Sequence, residues 1–237
     1  MRLYIIRHAD PDYANDTITE LGRRQAEVLG ERLERIQLDH LYSSPMGRAR
    51  ATAAATEKRK GMAATVLSWT RECHMVYENP PGSGKKGQIW DLDGHRIRGF
   101  NPLPTDQTWN SLPPMDNPEY GRILEEIGQH SDQFLAGHGY VREGGVYRVE
   151  RSHTEAMAVF CHGGFGLNWL SHLLAIAPPI MWAGFFLHPT SITTILFDER
   201  GDGMATPRCM GLGDVAHLEF AEMSAERVPV GIKANYH

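Results

Sequence analysis

The chain has 237 residues, 41% of them hydrophobic and 22% charged, which suits one medium α/β domain and excludes a disordered or fibrous composition. A formal net charge of -5 with no long Lys/Arg run leaves no basic field for nucleic acid. The N-terminus offers only Leu3-Tyr4-Ile5-Ile6 between two arginines, too short for a signal peptide, and the most apolar zone, 175–187, is broken by Pro178, Pro179 and Gly184. The expectation is a soluble cytoplasmic protein with no membrane partner, and the widely spaced Cys73, Cys161 and Cys209 read as reduced thiols.

Residues 2–6 predict a buried strand, and 9–17 a loop punctuated by Pro11 and several Asx residues. Thr19 is a suitable N-cap for a helix whose apolar positions Leu21, Val28, Leu29, Leu33 and Ile36 recur at helical spacing. Residues 40–42 predict a second strand, followed by a helix with Pro45 at its first position that runs to about Lys58. Residues 65–67 predict a third strand, so the opening pattern is βαβαβ, a parallel sheet with right-handed crossovers. From about 74 to 117 the periodicity lapses into Pro, Gly, Trp and polar residues. A structureless loop of that length is improbable in a compact domain unless it has a role. Residues 118–135 predict an amphipathic helix carrying Ile123, Leu124, Ile127 and Phe134 on one side, and Gly144-Gly145 centres a hairpin. Residues 157–161 resume the sheet, a helix follows over 166–176, and 191–198 and 206–212 predict the last strands. The expected architecture is a three-layer α/β/α sandwich with a mostly parallel central sheet. It forms a single domain over 1–237 with a cap insertion at about 74–150, placed over the C-terminal strand ends.

Three short segments carry chemistry. Arg7-His8 lies at the C-terminal end of the first strand, where open α/β sheets bind ligands. A neutral imidazole attacks phosphorus through one nitrogen while the other donates to a carbonyl, and an adjacent guanidinium offers bidentate donors to phosphate oxygens. Arg48 stands at a helix start that favours anions. His162-Gly163-Gly164 ends a second strand, and its glycines let the backbone approach a ligand closely. Taken singly, each segment has a structural reading: a backbone-satisfied His, a solvated helical Arg, a turn into a helix.

Read in order, Arg7-His8-Ala9, residues 18–26, Ser43 to Ala49 and His162-Gly163-Gly164 resemble the histidine phosphatase superfamily, the phosphoglycerate-mutase-like proteins. The resemblance covers 1–60 and roughly 155–220, where Asp214 and His217-Leu218 look like the closing segment. It implies ping-pong phosphoryl transfer: His8 as nucleophile, Arg7, Arg48, His162 and Gly163 around the phosphoryl group, and no metal or other cofactor. The family's general acid is usually a Glu just past the third strand, and Glu72 occupies that place, with Glu78 in reserve. Ala9 stands where the family usually has Gly, and Asp10 where Glu or Gln is commoner. Asn15 is offset from the mutase pattern, which favours hydrolysis. The reading is a phosphoric monoester hydrolase acting on a small phosphorylated metabolite, with a homodimer left open. The alternatives are a mutase-like phosphotransferase and a non-catalytic phospholigand-binding protein. The histidines at 74, 95, 130, 138, 153, 172 and 188 show no paired spacing, so a zinc site is not expected from sequence. The aromatics Trp90, Phe100, Trp109, Tyr120 and Tyr140 read as a small core for the insertion.

Overall fold

Strand β1 (Arg2–Arg7) leads through a two-stranded ribbon, β2 (Pro11–Asp12) and β3 (Thr17–Ile18), to helix α1 (Glu20–Glu34), in a computed structural model that describes residues 1–79 and 82–223. Then come β4 (His40–Ser43), α2 (Gly47–Lys60), β5 (Thr65–Val66), β6 (Val76–Glu78), β7 (Lys86–Gln88) and α3 (Gly94–Arg98). The chain continues with α4 (Pro118–Gly137), β8 (Tyr140–Glu143), β9 (Val146–Val149), β10 (Ala156–Cys161) and α5 (Gly163–Leu174). It closes with α6 (Pro178–Gly184), β11 (Ile192–Glu199), β12 (Met204–Asp214) and α7 (Ala216–Phe220).

The central sheet has eight strands in the order β5-β4-β10-β1-β11-β12-β9-β8. The block from β5 to β1 is parallel, and β11 onward is antiparallel. Alternation along β1 sorts the two faces. Leu3 and Ile5 join Phe165, Trp169 and Leu170 of α5 and Ile127 and Leu135 of α4 on one side. Tyr4 and Ile6 join Leu29 and Leu33 of α1 and Ala53 of α2 on the other. Strand β10, buried at all six positions, is the continuous apolar run that a strand covered on both faces requires. This is the expected three-layer sandwich.

The helix starts differ from expectation for reasons that bear on the site. Thr19 does cap α1, its hydroxyl accepting from the Gly22 amide at 3.0 Å. Helix α2, however, begins at Gly47 rather than Pro45, because its capping acceptor comes from elsewhere: the Asp16 carboxylate takes the Gly47 amide at 2.7 Å. Helix α5 begins at Gly163 rather than Gly166, since Glu72 accepts from the Gly164 and Phe165 amides at 3.2 and 2.7 Å. Helices α6 and α7 were hidden in sequence, one by its two prolines, which here sit in the first turn, the other by its brevity.

The segment expected as an insertion over 74–150 divides into two parts. Helix α4 packs on α5, and the β8–β9 hairpin extends the central sheet through β9 against β12, so 118–150 belongs to the sandwich. Residues 76–117 form the excursion proper, a β6–β7 ribbon with short helices. Its Ile89, Ile97, Trp109 and Met115 are buried in the same apolar cluster as Leu3 and Phe165, so it shares the sandwich's core. Trp109, Tyr120 and Tyr140 are buried, and Trp109 meets Trp182 edge to face at 5.6 Å.

Candidate active site

Sheet register builds the site. Strand β10, distant in sequence, inserts between β1 and β4 and pairs Arg7 with Cys161, so the next residues, His8 and His162, leave adjacent strand ends side by side. Their rings are 5.2 Å apart, edge to face. His8 is 1% exposed, and its Nδ1 lies 2.7 Å from the Ala9 carbonyl. A carbonyl only accepts, so Nδ1 carries the proton and the Nε2 lone pair is left for chemistry. Burial, with Arg7 and Arg48 nearby, pushes the His8 pKa down to about 3, so the ring is neutral at physiological pH.

Arg7 donates from Nη1 to the Leu187 carbonyl at 2.5 Å and lies 5.7 Å from the Phe186 ring centroid. Gly163 makes room for it: a Cβ there would stand 3.3 Å from the guanidinium carbon. Arg48, almost wholly buried, donates from Nη1 to Asp16 Oδ1 at 2.7 Å, with the Tyr13 ring 5.4 Å away. Fully buried His162 places Nε2 at 2.8 Å from Ser44 Oγ, and burial with the neighbouring His8 and two arginines holds it neutral. Three buried nitrogens of this group have no hydrogen-bond partner among the described residues: Arg7 Nε, Arg48 Nε and His162 Nδ1. Buried polar nitrogens without a partner are costly, and a cluster of them beside the neutral His8 ring suits an anion site.

Glu72 closes the ring at the α5 N-terminus. Besides the two α5 amides, the Cys73 amide donates to Oε1 at 3.0 Å. Burial raises its pKa against the pull of these amides and of Arg7. The thiol of Cys73 alongside is pushed up to about 12 by burial and by Glu72, which keeps it protonated and out of the chemistry. Thus Arg7, His8, Arg48, Glu72, His162 and Gly163 converge. Glu78 does not: it is exposed at the β6–β7 turn, where its carboxylate takes the Gly82 and Gly84 amides. Asn15 turns away to pair with Asp12. Asp10 is built into the support, accepting from the Thr19 hydroxyl at 2.6 Å. Asp214 and His217 stand one layer back. Asp214 pairs with Arg32, and His217 Nε2 lies 3.2 Å from the Thr190 hydroxyl, whose amide donates to the Arg7 carbonyl.

Sequence reasoning gave no site role to Asp16, which holds Arg48, to Ser44, which holds His162, or to Asp91, and it read Trp90 as core, whereas Trp90 and Asp91 bring the excursion to the mouth. A Cβ on Gly164 would meet Trp90 at 2.5 Å, and Asp91, exposed at the rim, is close enough to Arg7 and Glu72 for both to act on its carboxyl, which desolvation pushes up to about 6. Ser44 lies inside a recognised motif and was findable. Asp16 and the Trp90-Asp91 pair have no local signal, since loops place them.

The family model described as histidine phosphatase superfamily (branch 1) matches residues 3–207. A putative phosphoserine phosphatase 2 from Hydrogenobacter thermophilus is 26% identical over 69% of this chain and 73% of its own length. The mitochondrial serine/threonine-protein phosphatase Pgam5 of Caenorhabditis briggsae is 23% identical over 91% of this chain, which spans 64% of that protein. Among solved structures, a mycobacterial glucosyl-3-phosphoglycerate phosphatase superposes with TM-score 0.62 at 18% identity, covering 90% of this chain and 99% of that one. Phosphoserine phosphatase from Entamoeba histolytica, in complex with phosphoserine, superposes with TM-score 0.60 at 19% identity over 92% and 98%. At such identities the structures speak for the fold.

Proposed function

The chain belongs to the histidine phosphatase superfamily, and from that premise we propose that it is a metal-independent phosphatase that hydrolyses a small phosphomonoester through a phosphohistidine on His8. The assignment to phosphoric monoester hydrolases rests on the family. The intermediate, the residue roles and the substrate are our reading. The observation that carries it is the neutral, buried His8 with Nδ1 tied to the Ala9 carbonyl, beside His162 and between two arginines.

In the first step His8 Nε2 attacks phosphorus, the bond to the ester oxygen breaks, and protonated Glu72 delivers its proton to that oxygen. The product alcohol departs and phosphohistidine remains. In the second step a water attacks phosphorus, Glu72 takes the water's proton, the P–N bond breaks and inorganic phosphate leaves with His8 restored. Arg7 and Arg48 stabilise the charge spread over the non-bridging oxygens, with His162 donating from whichever ring nitrogen carries its proton. These groups supply the positive field that Mg²⁺ supplies in other phosphoryl-transfer enzymes. Asp16, already on Arg48, competes with the incoming phosphate and moderates its affinity. The excursion at 76–117 forms one wall of the mouth through Trp90 and Asp91, so leaving-group selection falls to it.

Phosphoserine and glucosyl-3-phosphoglycerate, which appear in the names of relatives and fold neighbours, head the substrate candidates. Both bear a carboxylate near the phosphate. Among the described residues no helix is long and apolar enough to cross a membrane. The test is hydrolysis of an aryl phosphate and of these two esters with chelator present, by wild type and by His8→Ala, with acid-labile label trapped on the protein. Turnover and label in the wild type only is the expected result. Turnover by a folded His8→Ala variant removes the nucleophile assignment. Label without release to water points to a phosphotransferase, and binding with neither label nor turnover to a phospholigand-binding protein.

A further inference from the structure

The opposite end of the sheet carries a second cluster of chemically capable side chains. Strand β10 enters after Glu155 and leaves into His162, and its six residues span roughly 20 Å at about 3.3 Å each. At the entry end, His40 opens β4 and His138 caps the C-terminus of α4. A donor atom from each of His40, His138 and Glu155 lies within 4.8 Å of the other two. Local spacing could not reveal this set, because 40, 138 and 155 come from three separate elements.

We propose that His40, His138 and Glu155 form a binding site for a divalent transition metal of the Zn²⁺ class, on the face of the sheet end remote from the active site. The His40 Nε2 to Glu155 Oε2 distance is 3.3 Å. Two ligands in a tetrahedral zinc site, each about 2.0–2.1 Å from the metal, stand about 3.3–3.4 Å apart, so this pair already has the required edge. The hydroxyl of Tyr42 lies 3.0 Å from His138 Nε2, and a water would complete a four-coordinate set. The His40 and His138 rings are 5.2 Å apart. Their approach is unfavourable for two imidazolium ions and natural for two neutral ligands of one cation.

The surroundings orient the ligands. Arg151 donates from Nη1 to Glu155 Oε1 at 2.9 Å, while Oε2 lies 3.3 Å from His40 Nε2 and 3.4 Å from His153 Nδ1. His153 accepts the Glu155 amide on Nδ1 at 3.2 Å, so its Nε2–H donates to the His138 carbonyl at 2.9 Å. One neutral ring thereby ties the backbones of two ligands together, as an outer layer around a metal site does. The Asp39 carboxylate takes the Ala156 amide at 2.8 Å and fixes β4 beside the Glu155 turn. All three ligand residues are partly exposed, which leaves an entry path. Bound metal would tie the end of α4 to β4 and β10, a cross-link between a helix layer and the sheet.

The test titrates Zn²⁺ into the chelator-stripped full chain, for wild type, the double variant His40→Gln/His138→Gln, and His8→Asn. The expected result is one more equivalent bound by wild type and His8→Asn than by the double variant, and a zinc-dependent rise in Tm that the double variant lacks. Co²⁺ in the same site should show tetrahedral d–d bands without the sulfur charge-transfer band that Cys209 would produce. Metal-free wild type and double variant should share Tm and aryl phosphatase activity, which shows that the variant is folded. Equal zinc binding by wild type and double variant overturns the proposal, as does loss of the zinc equivalent in His8→Asn.

Discussion

Replacing Glu72 by Gln separates its two duties. The carboxylate accepts three amides: Cys73 and Phe165 on Oε1, at 3.0 and 2.7 Å, and Gly164 on Oε2, at 3.2 Å. Glutamine keeps one oxygen, so the two Oε1 bonds survive and its NH₂ faces the Gly164 amide, donor against donor. One partly buried donor at the start of α5 is left unsatisfied, a cost of about 1–3 kcal/mol. For a chain of this size that corresponds to a fall in Tm of roughly 2–12 °C. The chemical loss is separate: a positioned acid contributes about 10²–10⁴ in rate, and its absence is felt most by leaving groups that cannot depart as anions. Rates should therefore fall by that factor on an alkyl phosphate such as phosphoserine, and by less than about tenfold on a nitrophenyl ester. The pH profile provides a further check. Burial raises the Glu72 pKa, the protonated form is the active one in the first step, and so activity declines as pH rises through the raised value. That alkaline limb should vanish in Glu72→Gln. An equal loss on alkyl and aryl esters, with the limb intact, would refute the assignment and leave Glu72 as the cap of α5 alone.

Asp16→Asn keeps the backbone conformation at φ 46°, which Asn tolerates, and removes the negative charge paired with Arg48. Competitive inhibition by inorganic phosphate should tighten several-fold, with a stability loss of about 1 kcal/mol or less from the weakened α2 cap; an unchanged inhibition constant would show that Asp16 does not compete for the arginine. Gly164→Ala forces a methyl against Trp90, whose ring atoms lie 2.5–2.6 Å from that position. Overpacking of this kind costs about 1–3 kcal/mol, and KM for a bulky ester should change more than kcat if Trp90 walls the mouth. For stability against pH, His8 and His217 are both held neutral, with pKa values near 3 and 4, so the unfolded chain binds more protons below its ordinary histidine value. Stability should therefore drop as pH falls from about 6.5 toward 4. In urea unfolding, His8→Asn should flatten that slope, and an identical slope would count against a neutral His8.

The parallel half of the sandwich was legible because its signals are local. Alternation and apolar runs mark β1 and β10, a Thr19 cap and helical spacing mark α1, and Arg7, His8, Arg48 and His162 sit in short motifs at element ends. Glu72 was legible by position only, just past the third strand, and its bonds to the α5 amides came from the fold. What tertiary structure alone decided are juxtapositions across long stretches of chain. Strand β10 inserts between β1 and β4 and so sets His162 beside His8. The hairpin at 140–149 joins the sheet rather than the insertion, because its partner edge on β12 lies more than fifty residues on. Asp16 reaches Arg48, and Trp90 reaches Gly164, through loops whose paths follow from packing and not from any repeating pattern. Residue type and period determine which side chains a strand or helix can present, but which of them meet depends on sheet order and on the closing of long loops, and those terms are non-local.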